Sequence, residues 1–193
     1  MKTIVVRKTL GYDPTMKGKY SRYEGYCLIT RGELDPHIVP GQKKIEVGGY
    51  REICCSCAKR AGESVGGKYT VRADLNEVKF NLEKMVSKSE FKICGSNVVR
   101  KRFLEYFEED RLDESLADIK LRIDRMLNRL KKKPEGQYLL VSHSFLMKIL
   151  EAYVRNKNIF LRPEEMRYYL NSTQRTYNFG EGFDFELSIK KEF

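Results

Sequence analysis

The sequence predicts an α/β sandwich with a mainly parallel central sheet, on three observations. Apolar runs of strand length stand at Ile4-Val5-Val6 and Tyr138-Leu139-Leu140-Val141. They are continuous rather than alternating, as strands buried on both faces are. Between them lie helical patterns, above all Leu116, Ile119, Ile123, Leu127 and Leu130, one apolar stripe at helical spacing. Strands that alternate with helices pack as a parallel sheet covered by helices. The 193 residues are enough for one such domain with a substantial core, and 1–193 reads as a single domain.

Taken in order, Lys2 to Arg7 is expected as the first strand, and the polar stretch Lys8 to Gly25, rich in Gly, Lys and Tyr, as a long loop on the active face. Tyr26-Cys27-Leu28-Ile29 reads as a short strand, with turns at Asp35-Pro36 and Pro40-Gly41. Gln42 to Tyr50 reads as a helix weakened at its end by Gly48-Gly49. Ile53-Cys54-Cys55 is the second core strand, and Ala58 to Val65 a helix closed by Gly66-Gly67. Tyr69-Thr70-Val71 is a third strand leading into Asp74-Leu75-Asn76-Glu77, and Asn81 to Gly95 a polar insertion over one end of the sheet.

Val98 to Glu108 and Asp113 to Lys133 read as helices. The second is capped by Asp113 or Ser115, favoured at its C-terminus by Lys131-Lys132-Lys133 and stopped by Pro134. The strand Tyr138–Val141 then runs through Ser142-His143-Ser144 into the helical pattern Phe145–Leu150. Pro163 to Leu170 is a further short helix. Gln174 to Phe179 and Phe183 to Ile189 alternate around Gly180-Glu181-Gly182 like a hairpin.

A formal charge of +10 points to anionic partners: phosphorylated small molecules, nucleic acid or anionic lipid. No apolar stretch approaches membrane-spanning length, and Met1–Val6 is strand-like rather than a signal peptide, so a soluble cytoplasmic protein is expected. Five cysteines, an odd number, argue against a disulfide framework. Cys54 and Cys57 form a single Cys-x-x-Cys with no second pair or nearby histidine, so buried thiols are expected and no metal or cofactor.

In such a sheet, ligands bind beyond the carboxyl ends of the strands. Four of those ends carry ionisable residues: Arg7-Lys8, Arg60, Glu77 and His143. Guanidinium forks match phosphate oxygens, a carboxylic acid can protonate a leaving oxygen, and together with the imidazole they would make a phosphoryl site. Singly, each has a plainer reading as loop solvation, an exposed helix position, a turn acid or a helix cap. Their shared position favours the site.

These residues sit in segments that resemble the histidine phosphatase superfamily, the phosphoglycerate mutase-like proteins, over nearly the whole chain. Leu140-Val141-Ser142-His143 and its following helix resemble the family's V-S-H-G, with Ser144 for the glycine. Ser56-Cys57-Ala58-Lys59-Arg60-Ala61 resembles S-P-L-x-R-A and places Arg60 at the phosphate-binding arginine. Leu75-Asn76-Glu77 is similar to the L-x-E segment that supplies the proton donor, Gly41-Gln42 to a compressed G-x-x-Q-A, and Glu114-Ser115 with Arg122 to the E-S and following arginine. The resemblance implies a three-layer α/β/α sandwich. It also implies a phosphate-binding pocket of Arg7, Lys8, Arg60 and His143, with His143 and Glu77 as the catalytic candidates.

The departure is at the family's R-H-G, whose histidine becomes phosphorylated; here Arg7-Lys8-Thr9 stands instead. Thr30-Arg31-Gly32-Glu33 resembles the motif without its histidine, and His37 lies in a turn-like segment. A free lysine has a pKa near ~10.4 and is mostly protonated, whereas imidazole near ~6.5 attacks as a neutral base. Lys8 is thus a good anion clamp and a poor nucleophile. The expectation is a fold that binds phosphate or a phosphorylated ligand without phosphohistidine catalysis. One rival is an active hydrolase using His143, His37 or Lys8. Another is a nucleic-acid or protein-interaction module using Arg100-Lys101-Arg102, Lys131-Lys132-Lys133 and Lys17, Lys19 and Arg22 with Tyr20 and Tyr23. No motif indicates oligomeric state.

Overall fold

The computed structural model describes residues 1–35, 45, 49–55, 65–171 and 177–188. Strand β1 (Lys2–Lys8) is followed by helix α1 (Arg22–Thr30), β2 (Tyr50–Ile53), β3 (Thr70–Val71) and a 3-10 turn at Ala73–Leu75. Then come α2 (Leu82–Met85), α3 (Lys88–Cys94), α4 (Ser96–Glu108), α5 (Leu116–Lys131), β4 (Gly136–Ser142) and α6 (Ser144–Arg155). A 3-10 turn at Ile159–Leu161, α7 (Pro163–Asn171) and β5 (Gly182–Leu187) complete the described elements.

The sheet has the order β3-β2-β4-β1-β5, parallel except for β5, which pairs antiparallel with β1. This is the mainly parallel, helix-flanked α/β sheet that the sequence predicts. Burial explains the continuous apolar runs: Ile4, Val5 and Val6 on β1 and Tyr138 to Val141 on β4 are all 2% exposed or less. The α5 stripe is buried at Ile119, Ile123, Met126, Leu127 and Leu130, and Ser115 caps the helix through Asp118 N. β1 and β4 run in register from Lys2↔Gly136 to Lys8↔Ser142, so Lys8 and the Ser142-His143 hinge end side by side.

Three expectations are corrected. Tyr26–Ile29 is helical, within α1: Ser21 and Glu24 form a reciprocal capping box, and Gly25 and Cys27 are the buried positions of one helical face. Of the hairpin strand expected over Gln174 to Phe179, residues 174–176 lie outside the described residues and 177–179 belong to a loop, and β5 takes β1 as its partner. Gly182 allows that approach, because a Cβ there would lie 1.8 Å from Val6 O. The second strand is Tyr50–Ile53, earlier than expected, so Tyr50 is a strand residue and not a helix end. Val65 is helical, while the rest of the helix expected over Ala58 to Val65, and Gln42 with most of its expected helix, lie outside the described residues.

The polar insertion Asn81–Gly95 forms the short helices α2 and α3, each capped by its preceding Asn81 or Ser87. Among the described residues, no helix is long and apolar enough to cross a membrane. Among the described cysteines the expectation of buried thiols holds for Cys27 alone, and Cys57 lies outside the described residues. Cys55, just past β2, and Cys94, in the last turn of polar α3, are exposed, and the fully buried Cys54 is disulfide-bonded.

Candidate functional site

The site is built where β1, β2 and β4 end together. Thr9 N donates to Ser142 O at 2.8 Å and Cys54 N to Val141 O at 3.1 Å, which ties the three strand ends. The buried Ser142 hydroxyl donates to Leu75 O at 2.6 Å, drawing in the 73–77 segment, and Asn76 Oδ1 accepts from Cys55 N at 2.8 Å. His143 occupies the N-cap position of α6 with extended backbone, and its side chain makes no cap bond. Its Nε2 instead lies 3.2 Å from Cys54 Sγ. A disulfide sulfur has no hydrogen, so the imidazole N–H is the donor, and Nε2 in that state has no lone pair for attack.

Glu77 performs the capping that His143 leaves open. Its Oε1 accepts from Leu146 N at 2.8 Å and Val78 N at 3.0 Å, and its Oε2 from Phe145 N at 3.1 Å. A helix N-terminus exposes N–H groups that attract anions, and here a side-chain carboxylate already takes two of them. Burial pushes the Glu77 carboxyl above the usual carboxylate range, against the opposing effect of those three N–H donors and the Arg122 charge.

The segment carrying Glu77 is braced from α5. Arg122 donates from Nε and Nη2 to Glu114 at 2.7 and 2.8 Å, and from Nη1 to Asp74 O and Asn76 O at 3.2 and 2.6 Å. Glu114 also accepts from Lys79 N at 3.1 Å. This fork is the use the structure makes of Glu114 and Arg122: they hold the loop before and after Glu77. On the α6 side, Phe145 stacks on Phe103 at 3.6 Å and meets Phe80 edge-on, an apolar wall beside the hinge.

Lys8 is half-buried at the end of β1. Its Nζ donates to Tyr177 O at 3.1 Å and lies 4.5 Å from the Phe179 ring centroid. The loop bearing both residues is fastened to it by Lys8 N→Glu181 O at 2.7 Å and Gly180 N→Lys8 O at 2.9 Å. Burial lowers the Lys8 pKa below the ordinary lysine value, and the Glu77 charge opposes this. Behind it, Lys148 on α6 donates to Leu170 O at 3.3 Å, beside Arg100, which donates to the same oxygen at 3.0 Å. Burial, with the Arg100 and Lys8 charges, brings Lys148 down to about 8.

Of the sequence-predicted residues, the structure brings Lys8, Glu77 and His143 around the N-terminus of α6. Arg7 is not among them: its Nη1 pairs with Asp184 Oδ1 at 2.6 Å and donates to Phe183 O and Val6 O. Side chains alternate along a strand, so a residue next to Lys8 is aimed elsewhere. Arg60 and His37 lie outside the described residues. Cys54 is read in the sequence only as half of a Cys-x-x-Cys without a nearby histidine, yet the fold sets its sulfur against His143, and Lys148 carries no motif that sequence reading picked out.

Part of the basic set is committed to neighbours within the fold. Arg102 pairs with Glu90 and Glu105, Lys133 with Glu52, and Arg100 with the C-terminal carbonyl of α7, while Tyr23 is packed on Phe91 with its hydroxyl on Val86 O.

A sheet that gathers its ionisable groups at the carboxyl ends of parallel strands defines a class of α/β proteins with a ligand crevice there. The sequence profile of the Histidine phosphatase superfamily (branch 1) matches residues 53–167, more than half of the chain. The protein belongs to that superfamily. The match starts at Ile53 and takes in the Glu77 and His143 segments, while β1 with Lys8 precedes it. No curated protein matches the chain.

Proposed function

We propose that this phosphatase- or mutase-like protein, one domain over residues 1–193, binds phosphate or a phosphorylated ligand at the β1/β4 ends without phosphohistidine chemistry. One observation carries the reading: Lys8 ends β1 in register with Ser142, immediately beside His143, where the family's nucleophilic histidine is expected. A clamp of Lys8, His143 and, by resemblance, Arg60 supplies N–H donors for phosphoryl oxygens. Arg7, engaged with Asp184, is left out of it. Glu77 serves as the cap that orients the hinge rather than as a free proton donor, since three backbone N–H groups occupy its oxygens.

Phosphate titrations followed by calorimetry or ³¹P line width test this. Saturable binding that weakens in both Lys8→Ala and His143→Ala, with no turnover of an aryl phosphate, is expected. Binding indifferent to both substitutions refutes the clamp. Turnover that vanishes in His143→Ala or Lys8→Ala would favour an active hydrolase with an altered nucleophile.

A further inference from the structure

The disulfide at the end of β2 is not part of the clamp, yet it touches a residue on which the clamp depends. Cys54 is fully buried and disulfide-bonded, with His143 Nε2 3.2 Å from its sulfur. Of the five cysteines, Cys27, Cys55 and Cys94 are free. The count leaves Cys57, outside the described residues, as the partner, and makes the bond a Cys-x-x-Cys disulfide. A bridge that closes so short a loop restrains the unfolded chain less than a long-range one, whereas this spacing beside a histidine suits exchange. The backbone on the Cys54 side is fixed, since Cys54 N donates to Val141 O at 3.1 Å and Cys55 N to Asn76 Oδ1 at 2.8 Å.

We propose that this bond is a thiol–disulfide exchange site for small dithiols, with Cys54 as the leaving sulfur and His143 as the donor that receives it. Cys54 has no exposed surface, so an incoming thiolate attacks the other sulfur. A bond forms between the dithiol's sulfur and Cys57 Sγ, and the S–S pair departs on Cys54 Sγ as a thiolate. The His143 N–H, already directed at that sulfur, hydrogen-bonds the new charge. The dithiol's second thiolate then attacks its own bonded sulfur, closing a cyclic disulfide and releasing Cys57 as a thiolate. Two electrons pass from the dithiol to the protein, and the two protons it gives up go to the cysteines or to solvent. A thiolate is a stronger acceptor than a disulfide sulfur, so reduction holds the imidazole N–H more firmly on Cys54 and withdraws it from phosphate. That consequence, unlike the exchange itself, rests on the phosphate-binding reading above.

The test is reduction of the folded full chain by dithiothreitol, quenched with acid, alkylated in denaturant and mapped by mass spectrometry. Before reduction Cys54 and Cys57 should carry no label, while Cys27, Cys55 and Cys94 do. Dithiothreitol should then open the bond without urea and with the circular dichroism unchanged. His143→Leu should slow the opening several-fold, and His143→Gln, which keeps an N–H donor, should recover most of the rate. A bond that opens only when urea unfolds the chain, or Cys54 found as a free thiol after air oxidation, overturns the proposal whatever the variants do. Equal rates in the parent and a folded His143→Leu overturn the part given to His143. Inorganic phosphate affinity, measured by calorimetry, should fall on reduction. Exchange as expected with equal affinity in both states upholds the exchange site and overturns its coupling to the clamp. Exchange as expected with no phosphate binding in either state upholds the site and counts against the clamp alone.

Discussion

Replacing Glu77 with alanine tests the capping of α6 directly. The carboxylate accepts from Phe145 N, Leu146 N and Val78 N, and alanine leaves all three without that acceptor. At about 1 kcal/mol net for each hydrogen bond, the loss comes to about 3 kcal/mol. That is slightly above the ~0.5–2 kcal/mol usual for removal of an N-cap. In a protein of this size each kcal/mol lowers Tm by about 2–4 °C, so a fall of about 6–12 °C is expected. Urea denaturation at neutral and mildly acidic pH, followed by circular dichroism, measures it.

The pH dependence adds a sharper check. Burial raises the Glu77 pKa above its unfolded value of 4.5, so the native state holds this proton more tightly than the unfolded chain. The stability it contributes is therefore fully present below that unfolded value and is lost as pH rises through the folded one. The deficit of Glu77→Ala relative to the parent should be largest at acid pH and narrow toward neutrality. A deficit that widens as pH rises would mean that the N–H donors outweigh burial and that the anion is the capping form. A deficit under about 1 kcal/mol at every pH would refute the capping role itself.

Three further perturbations follow from the same geometry. Arg122→Ala strands the nearly buried Glu114 carboxylate and two loop carbonyls, and should cost about 3–5 kcal/mol in urea denaturation, with Arg122→Lys recovering little because one ammonium cannot span the fork. Lys148→Met should flatten the alkaline limb of stability against pH: with its pKa lowered to about 8, the parent's native state releases this proton before the unfolded chain does, so parent stability rises between there and 10.5. Arg7→Ala should leave phosphate affinity within twofold of the parent's on calorimetry and lower stability by under about 1 kcal/mol, since its partner Asp184 is half exposed.

What was legible in the sequence tracks locality. Helix α5 is readable because its stripe and its Ser115 cap lie within one segment, and β1 and β4 because strands buried on both faces are apolar throughout. Helix α1 was equally local, yet the run Tyr26–Ile29 mimics a strand; the Ser21-x-x-Glu24 capping signature three residues into the turn is the signal that identifies it. The hairpin failed for the opposite reason. The alternation of Phe183 and Phe185 is real, but it is satisfied by β1, across more than 170 residues.

In the site, Lys8, Glu77 and His143 could be gathered because strand-end position is itself a spatial statement. Arg7 shares that position and is lost from the group because alternation along the strand sends it to Asp184. The Cys54–His143 contact spans 89 residues and has no spacing signature at all. Nor does local pattern show that Arg122 reaches the carbonyls of Asp74 and Asn76, 48 and 46 residues away.

The position of β1 within the sheet sets the order in which the protein can be assembled. Its neighbours on the two sides are β4, 134 residues further along in register, and β5, still later. During synthesis Ile4, Val5 and Val6 emerge long before either neighbour exists to cover them. The β2–β3 pair can form early but meets the rest of the sheet only through β4. Contacts of such long range are slow to close, and an uncovered apolar strand with two open edges invites pairing with other chains. Refolding should hinge on the arrival of β4, the strand that joins both halves of the sheet and delivers His143 to the site in the same event.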